Sequence, residues 1–345
     1  NDDYRQTNGE IGVNWQRPLG AQWRLETIAI QRLRGSDFST QFDNGTGVGQ
    51  FTEDSTSGES IGRATLRYTR TPTWSLEAGG EIAFNFLESA TTFTDNGVPV
   101  VLPFSDVRVE ELRGEMFGTS TWRPNARWGL ELGLRAEVST ITQSGDTDLE
   151  RSFFYPKPRA LLTWAPDEGN QFRLRLEREI GQLDFGDFVS SAAFNTGVVT
   201  AGNSELEPDK AWVAELAWER GFWDEGSLVV TLTHREITDA SDRVPVYTLT
   251  DVFDAPGNIG EGSSDSLGVN LTVPLARLGL TGARLRAELD WAVSEVEDPT
   301  TGEMRRLSGQ QPFSGELNFT QDVPRLNLQW GGNAYLGRFQ RYYRF

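Results

Sequence analysis

The sequence contains no cysteine, so a disulfide framework, thiol catalysis and thiolate metal sites are all excluded. A single histidine, His234, makes histidine-based zinc sites and Ser-His-Asp hydrolysis improbable. Basic side chains are outnumbered, 32 against 50 acidic ones, and the net charge of −18 argues against a nucleic-acid surface. No apolar run reaches the roughly 18 residues of a membrane helix, and the opening NDDYRQTNGE has neither the basic start nor the apolar core of a signal peptide. A membrane barrel remains open, because it alternates lipid-facing and lumen-facing residues and keeps its average hydropathy low.

What is present is alternation. In Arg127–Ile141, Trp128, Leu130, Leu132, Leu134, Ala136 and Val138 fall on one side of an extended chain. Gly129, Glu131, Gly133, Arg135, Glu137 and Ser139 fall on the other. A half-buried strand of a soluble sandwich reads the same way, so the segment alone does not say which face is the core. Its repetition does. Seven hairpins with tight turns follow one another, including Ala64–Tyr68 with Trp74–Phe86, Trp212–Trp218 with Leu228–Leu232, and Phe313–Phe319 with Leu326–Trp330. They amount to roughly fourteen strands, each expected near the nine to eleven residues that cross a bilayer at a tilt.

Between the hairpins, residues 35–59, 88–106, 142–155, 182–208, 239–262 and 294–310 read as long polar loops. Strict alternation of short turns with long loops puts all short turns at one end of an antiparallel meander and all loops at the other. Outer-membrane barrels have that asymmetry. Trp15, Trp23, Trp74, Trp122, Trp128, Trp164, Trp218 and Trp223 all lie close to short turns, as an interfacial aromatic girdle requires. The expected fold is therefore all-β, an antiparallel transmembrane β-barrel occupying 1–345, in the outer membrane of a Gram-negative bacterium and in contact with its lipid and lipopolysaccharide.

Both termini fall on the long-loop side, whereas intact bacterial barrels keep them on the short-turn side. This predicts at least one further strand before Asn1 and one after Phe345. The even spacing of Phe339, Tyr343 and Phe345 offers the competing reading of a barrel-assembly signal, although Gly337 and Arg341 break the alternation.

Three segments resemble the barrel region of TonB-dependent outer-membrane receptors: YPKPRALLTWAP at Tyr155–Pro166, AGNSELEPDKAWVAELAWER at Ala201–Arg220, and GNIGEG at Gly257–Gly262. Asp209 stands where the family's Gly-Asn-x-x-Leu-x-Pro-Glu box has glutamate. The resemblance implies a barrel of about 22 strands with an N-terminal plug. It implies active uptake of a scarce ligand, such as a siderophore, cobalamin or saccharide, coupled to the TonB complex. No plug and no TonB-contacting segment lies within these 345 residues. A passive porin-like channel and a structural barrel in a larger assembly are the alternatives.

The candidate ligand contacts are Arg173, Arg175 and Glu177, which alternate with Phe172, Leu174 and Leu176 and so face the interior. Phe185, Phe188, Phe194, Tyr247 and Phe253 join them from the loops. The charges read equally as a solvated wall with cross-strand ion pairs, and the aromatics as loop packing. Arg284, Arg286, Glu288 and Asp290 form a second lumenal run. Asp146, Asp148, Asp251, Asp254 and Asp265 supply oxygen ligands of the kind Ca²⁺ takes, but without EF-hand spacing, so no metal and no cofactor is expected. GTGVG at Gly45–Gly49 lacks the lysine and helix of a nucleotide loop. His234 reads as a wall residue. No nucleophile has an attendant base, so an enzyme is not expected.

Overall fold

A computed structural model describes residues 2–43, 47–193, 198–247, 252–339 and 341–343. In chain order the strands are β1 (Asp2–Pro18), β2 (Trp23–Asp43), β3 (Val48–Thr71), β4 (Trp74–Asp95), β5 (Val98–Val100), β6 (Asp106–Asn125) and β7 (Trp128–Gly145). They continue as β8 (Leu149–Asp167), β9 (Asn170–Ile180), β10 (Ser191–Ala193), β11 (Val198–Thr200), β12 (Lys210–Phe222), β13 (Gly226–Thr238) and β14 (Ser241–Tyr247). The last are β15 (Val252–Asn258), β16 (Gly262–Pro274), β17 (Ala283–Glu297), β18 (Met304–Arg305), β19 (Phe313–Val323) and β20 (Leu328–Gly337). Fourteen of them pair in one antiparallel meander, β1-β2-β3-β4-β6-β7-β8-β9-β12-β13-β16-β17-β19-β20, which matches the expected strand number. Among the described residues, no helix is long and apolar enough to cross a membrane.

The strand lengths correct the sequence reading. The first half of the wall is built from strands of 17 to 24 residues, well above nine to eleven. Much of what reads as loop in residues 35–59 is paired backbone, since β2 and β3 stay in register from Trp23↔Tyr68 to Asp43↔Val48. Residues 142–155 likewise extend β7 and β8, in register up to Gln143↔Leu149. Polar alternation beyond the apolar belt carries no hydrophobic signal, yet the backbone ladder begun in the wall continues through it. The segments around 181–209 and 239–262 leave the wall instead and supply the small sheet β10-β11-β15-β14.

The burial pattern decides which face is outside. On β7, Leu132, Leu134 and Val138 are exposed, while Glu137, Ser139 and Gln143 are buried. Across the sheet, Met116 is 76% exposed and Glu115, one residue away, 7%. A soluble protein inverts that relation, because apolar area is what it removes from water. From Trp128 to Val138 the apolar face spans ten residues, which at the usual strand rise and tilt covers about 25 Å of membrane.

Aromatic rings sharpen the short-turn rim. Trp23 stacks on Tyr68 with centroids 4.4 Å apart, and Trp128, Trp164, Phe172 and Trp218 stack in series across β7, β8, β9 and β12 at 5.7, 5.4 and 6.4 Å. Their N–H groups find polar partners at the rim, Trp74 on Ser120 Oγ at 3.1 Å and Trp218 on Asn170 Oδ1 at 3.2 Å. Trp330 belongs to the same rim, donating to Gln321 Oε1 at 3.1 Å, a membership the sequence reading missed. Trp212 and Trp291 stand outward at the other margin of the belt.

If hydrocarbon covers this face, Leu132→Arg costs about 2–4 kcal/mol. Unfolding from lipid vesicles, with Leu132→Ala as reference, measures it. A cost below about 0.5 kcal/mol would place the face in water.

Candidate functional site

The inward positions of β3 to β13 carry charges of both signs, and strand register decides who meets whom. Glu81 on β4 sits between Arg63 of β3 at 3.1 Å and Arg113 of β6 at 3.2 Å. Glu115 takes Arg135 at 3.1 Å and Lys157 at 3.0 Å, and Lys157 also reaches Glu137 at 2.8 Å. A continuous chain of pairs then crosses five strands. Glu131 of β7 holds Arg159 of β8 at 2.9 Å, and Arg159 holds Glu177 of β9 at 2.9 Å. Arg175 bridges Glu177 at 2.9 Å and Glu215 of β12 at 2.7 Å, and through Glu179 the chain reaches Arg235 of β13 at 2.8 Å.

A cavity of about 390 Å³ lies over this belt, lined by Glu131, Arg135, Lys157, Arg159, Arg175 and Glu177 among others. Two of the three expected wall charges, Arg175 and Glu177, therefore stand together in it. Arg173 points toward the short-turn side and faces Glu219 at 3.7 Å. Sequence reasoning did not single out Lys157 or Arg159. Their odd-numbered positions in β8 were a usable signal, since Phe153 and Tyr155 precede them on the same face and Pro156 and Pro158 take the other. Those prolines lie on the stretch of β8 beyond its pairing with β9, which begins at Arg159↔Glu177, so no ladder donor is lost there.

At the loop end the chain folds onto the wall. Phe185–Phe188 forms a short 3-10 turn, begun by Asp184 accepting from Gly186 N at 2.9 Å. Phe188 is buried among Val107, Val109, Ile141 and Leu206, with Phe185 packed against them. Both rings pack loop to wall. Tyr247 is 72% exposed at the tip of the β14–β15 hairpin, and Phe253, opposite Val246, is half-buried. Phe194 lies outside the described residues.

The motifs that carry the resemblance interlock here. Asn258 of GNIGEG donates to the carbonyls of Glu207 and Asp239 at 2.8 and 2.7 Å and accepts from Glu207 N at 2.8 Å. Asn203 of the neighbouring box donates to the Pro256 carbonyl at 2.9 Å. A Cβ on Gly202 would lie 2.3 Å from the Phe188 carbonyl oxygen, so only glycine fits between turn and box. Burial pushes the Asp209 carboxyl up.

The five aspartates weighed for Ca²⁺ do not converge. Asp146 accepts from Ser105 N, Ser105 Oγ and Asp106 N and so closes a turn, while Asp148 stands exposed. Asp254 is buried, with Arg243 at 3.8 Å. Asp265 is on the outward face with His234, and Asp251 is outside the described residues. Among the described residues, no group of three or more histidines and carboxylates is arranged to hold a metal ion. In GTGVG, Gly45 and Thr46 are likewise outside the description, and Val48 opens β3 rather than a helix.

The Arg305 side chain is only 6% exposed. It holds Asp242 of β14 and Asp298 of the loop after β17, each at 2.7 Å, and lies 4.4 Å from the Tyr343 ring centroid. Tyr343 thus lies over this latch, its N–H donating to Ser308 Oγ at 3.1 Å, and does not extend a strand. Backbone N–H groups of Thr301 and Thr300 and the Arg305 guanidinium hold the Asp298 carboxyl down to about 2.

Charge is partitioned sharply along the barrel axis. The six loop-side segments named above contain 24 of the 50 acidic side chains and 4 of the 32 basic ones, a net charge of −20, whereas the rest of the chain is +2. Charge is nearly balanced outside these segments and strongly negative within them.

An apolar belt outside, a charge-paired wall inside and folded loops at one end define the wall of an outer-membrane-type barrel. The chain belongs to the family described as TonB dependent receptor-like, beta-barrel, whose profile matches residues 1–344. Among solved structures it is similar to the ferric citrate transporter FecA in the unliganded form, at 14% identity, with a TM-score of 0.74 over 97% of this chain and 49% of that one. The siderophore receptor PiuA from Acinetobacter baumannii gives 14% identity and 0.70 over 97% and 55%. The receptor FpvA from Pseudomonas aeruginosa PAO1, bound to pyoverdine, gives 12% and 0.71 over 97% and 50%. The chain thus spans about half the length of these proteins. No curated protein matches it by sequence.

Two outcomes test the site. Arg175→Met strands Glu177, Glu179 and Glu215 together and lowers stability by about 1–3 kcal/mol, read from the urea midpoint against an Arg173→Met control that costs less. The depressed Asp298 carboxyl supports the latch above its ordinary value of 3.8, and that support is lost as pH falls through about 2. Peptic cleavage within 297–310 should therefore accelerate between pH 4 and pH 2, relative to cleavage in the 35–59 hairpin.

Proposed function

We propose that this wall belongs to an outer-membrane receptor that takes up a scarce small ligand, with energy delivered by the TonB complex through a region outside these residues. The observation that carries the reading is the combination, in one chain of that family, of an outward apolar belt with an inward ion-paired face beneath folded loops. Membership of the family and the likeness to siderophore and ferric citrate proteins support a metal-bearing ligand.

In this reading the edges of the sheet need company. β1 and β20 each have one strand neighbour, and β20 is exposed along its length. Within hydrocarbon an unpaired row of N–H and C=O groups is costly, so further strands close the wall into a larger barrel, and a plug fills its lumen. The acidic mouth favours a ligand that is neutral or cationic when loaded, because a surface of one sign concentrates the opposite charge and repels its own. Arg175, Glu177 and their partners form the hydrated path below it, and Tyr247 is the ring best placed to meet a ligand first.

Uptake of radiolabelled ferric complexes by cells producing the full-length protein tests this. Accumulation of a neutral or cationic complex should exceed that of a polyanionic one and stop when the proton-motive force is collapsed. Uptake that continues undiminished after collapse would mean a passive channel.

A further inference from the structure

The short turns divide into two sectors of opposite charge. The first three, residues 16–24, 69–73 and 123–127, hold five arginines and no carboxylate, whereas residues 165–169 and 219–225 hold five carboxylates and one arginine. Strand register sorts the five arginines by face. Arg17 continues the outward column of Val13 and Trp15 and stands opposite Leu25. Arg70 lies over the outward Trp74 ring, 5.6 Å from its centroid. Arg24 is opposite Arg67 in the ladder and so points inward, while Arg123 and Arg127 line a lumenal cavity with Thr121 and Glu131.

Between Arg17 and Arg70 lies an aromatic platform. Trp23 stacks on Tyr68, and Tyr68 meets Trp74 edge-on at 6.4 Å. Both arginines are exposed and, among the described residues, neither pairs with a carboxylate. The carboxylates of the adjoining ladder, Glu26 and Glu77, face the lumen and are engaged there, Glu26 by Asn14 and Gln16 and Glu77 by Arg67. Toward the midplane the same outward face opens into a groove of about 750 Å³, bounded by Gly62, Ala64, Gly80, Ile82, Met116 and Phe154. From Tyr68 to Gly62 the strand β3 runs about 20 Å, which at the usual tilt is about 15 Å of depth, half of the hydrocarbon core. Unanswered positive charge, exposed rings and an apolar groove are thus continuous over one leaflet.

A guanidinium at the lipid margin with no carboxylate to answer it favours an anionic group, and its fork of N–H donors matches phosphate oxygens. A zwitterionic head group also brings an ammonium, for which this sector of the outward face holds no carboxylate. The short-turn end is the side that the outer-membrane reading gives to phospholipid and not to lipopolysaccharide. We propose that this face docks an anionic phospholipid of that leaflet, its head group on the Trp23, Tyr68 and Trp74 platform between Arg17 and Arg70, and an acyl chain in the groove over Ala64 and Gly80. The proposal rests on the outer-membrane reading above. It differs from general lipid contact in confining the preference to one sector of the rim and to its outward arginines.

Native mass spectrometry tests it on the full-length receptor, purified from membranes, stripped of lipid in detergent and given equimolar phosphatidylglycerol and phosphatidylethanolamine with identical chains. The expected result is about tenfold greater retention of phosphatidylglycerol. Arg17→Gln with Arg70→Gln should bring the two lipids to parity. Arg24→Gln with Arg123→Gln removes the same charge from the lumenal side and should leave the preference intact. Ala64→Leu, which fills the groove, should reduce retention of both lipids. Equal retention by the unaltered receptor, a tenfold preference that survives the outward pair of substitutions, or an equal loss with the lumenal pair would overturn the proposal. A receptor recovered from membranes without selectivity would defeat this inference alone. Recovery in the soluble fraction would defeat the membrane reading with it.

Discussion

Every peptide N–H and C=O that lies in hydrocarbon needs a partner, and this requirement governs the rest of the structure. The antiparallel ladder supplies those partners strand by strand, from β1 to β20. Once the ladder is fixed, side chains have only two directions to take. Leucine, valine and tryptophan point one way and the charged residues the other, so the face that would be the core of a soluble sandwich becomes the outside.

The inward charges then become a consequence of the outward apolar face. Their energetics resemble those of a half-buried network more than a surface. Glu115 and Glu137 are nearly covered, and each meets Lys157 within about a single ion-pair distance. Removing one member leaves its partners facing like charges at short range. From β7 to β13 such a wall pairs charges of both signs, which separates it from the mouth. There the carboxylates greatly outnumber the cations, and the few cations are spent on latches such as Arg305 with Asp242 and Asp298.

The loops are held by specific contacts and not merely tethered at their ends. Phe188 anchors the 181–209 segment to the wall, Asn258 ties that segment to the β14–β15 hairpin, and Arg305 ties the hairpin to the loop after β17. Asn203 and Asn258, which belong to two of the segments that carry the family resemblance, are among these fasteners. Their spacing reflects a backbone bridge between two loops far apart in sequence, with a glycine where two main chains touch.

Much of this was legible in the sequence because its physical basis is local. A period of two exposes the faces of β7, tight turns reveal the hairpins, and tryptophans near turns mark a rim, since each depends only on neighbours along the chain. Strand extent beyond the membrane was not legible, because polar hairpins such as β2–β3 pair without an apolar pattern. The fate of Phe185 and Phe188 was not legible either: a phenylalanine in a loop packs or binds according to what stands opposite. Register between strands, which joins Arg159 to Glu177 and His234 to Asp265, belongs to tertiary structure alone. The sequence by itself determined an amphipathic meander with one apolar face. Only the folded sheet decided which charges cancel and which remain at the mouth, because Coulomb energy depends on separation in space and not along the chain.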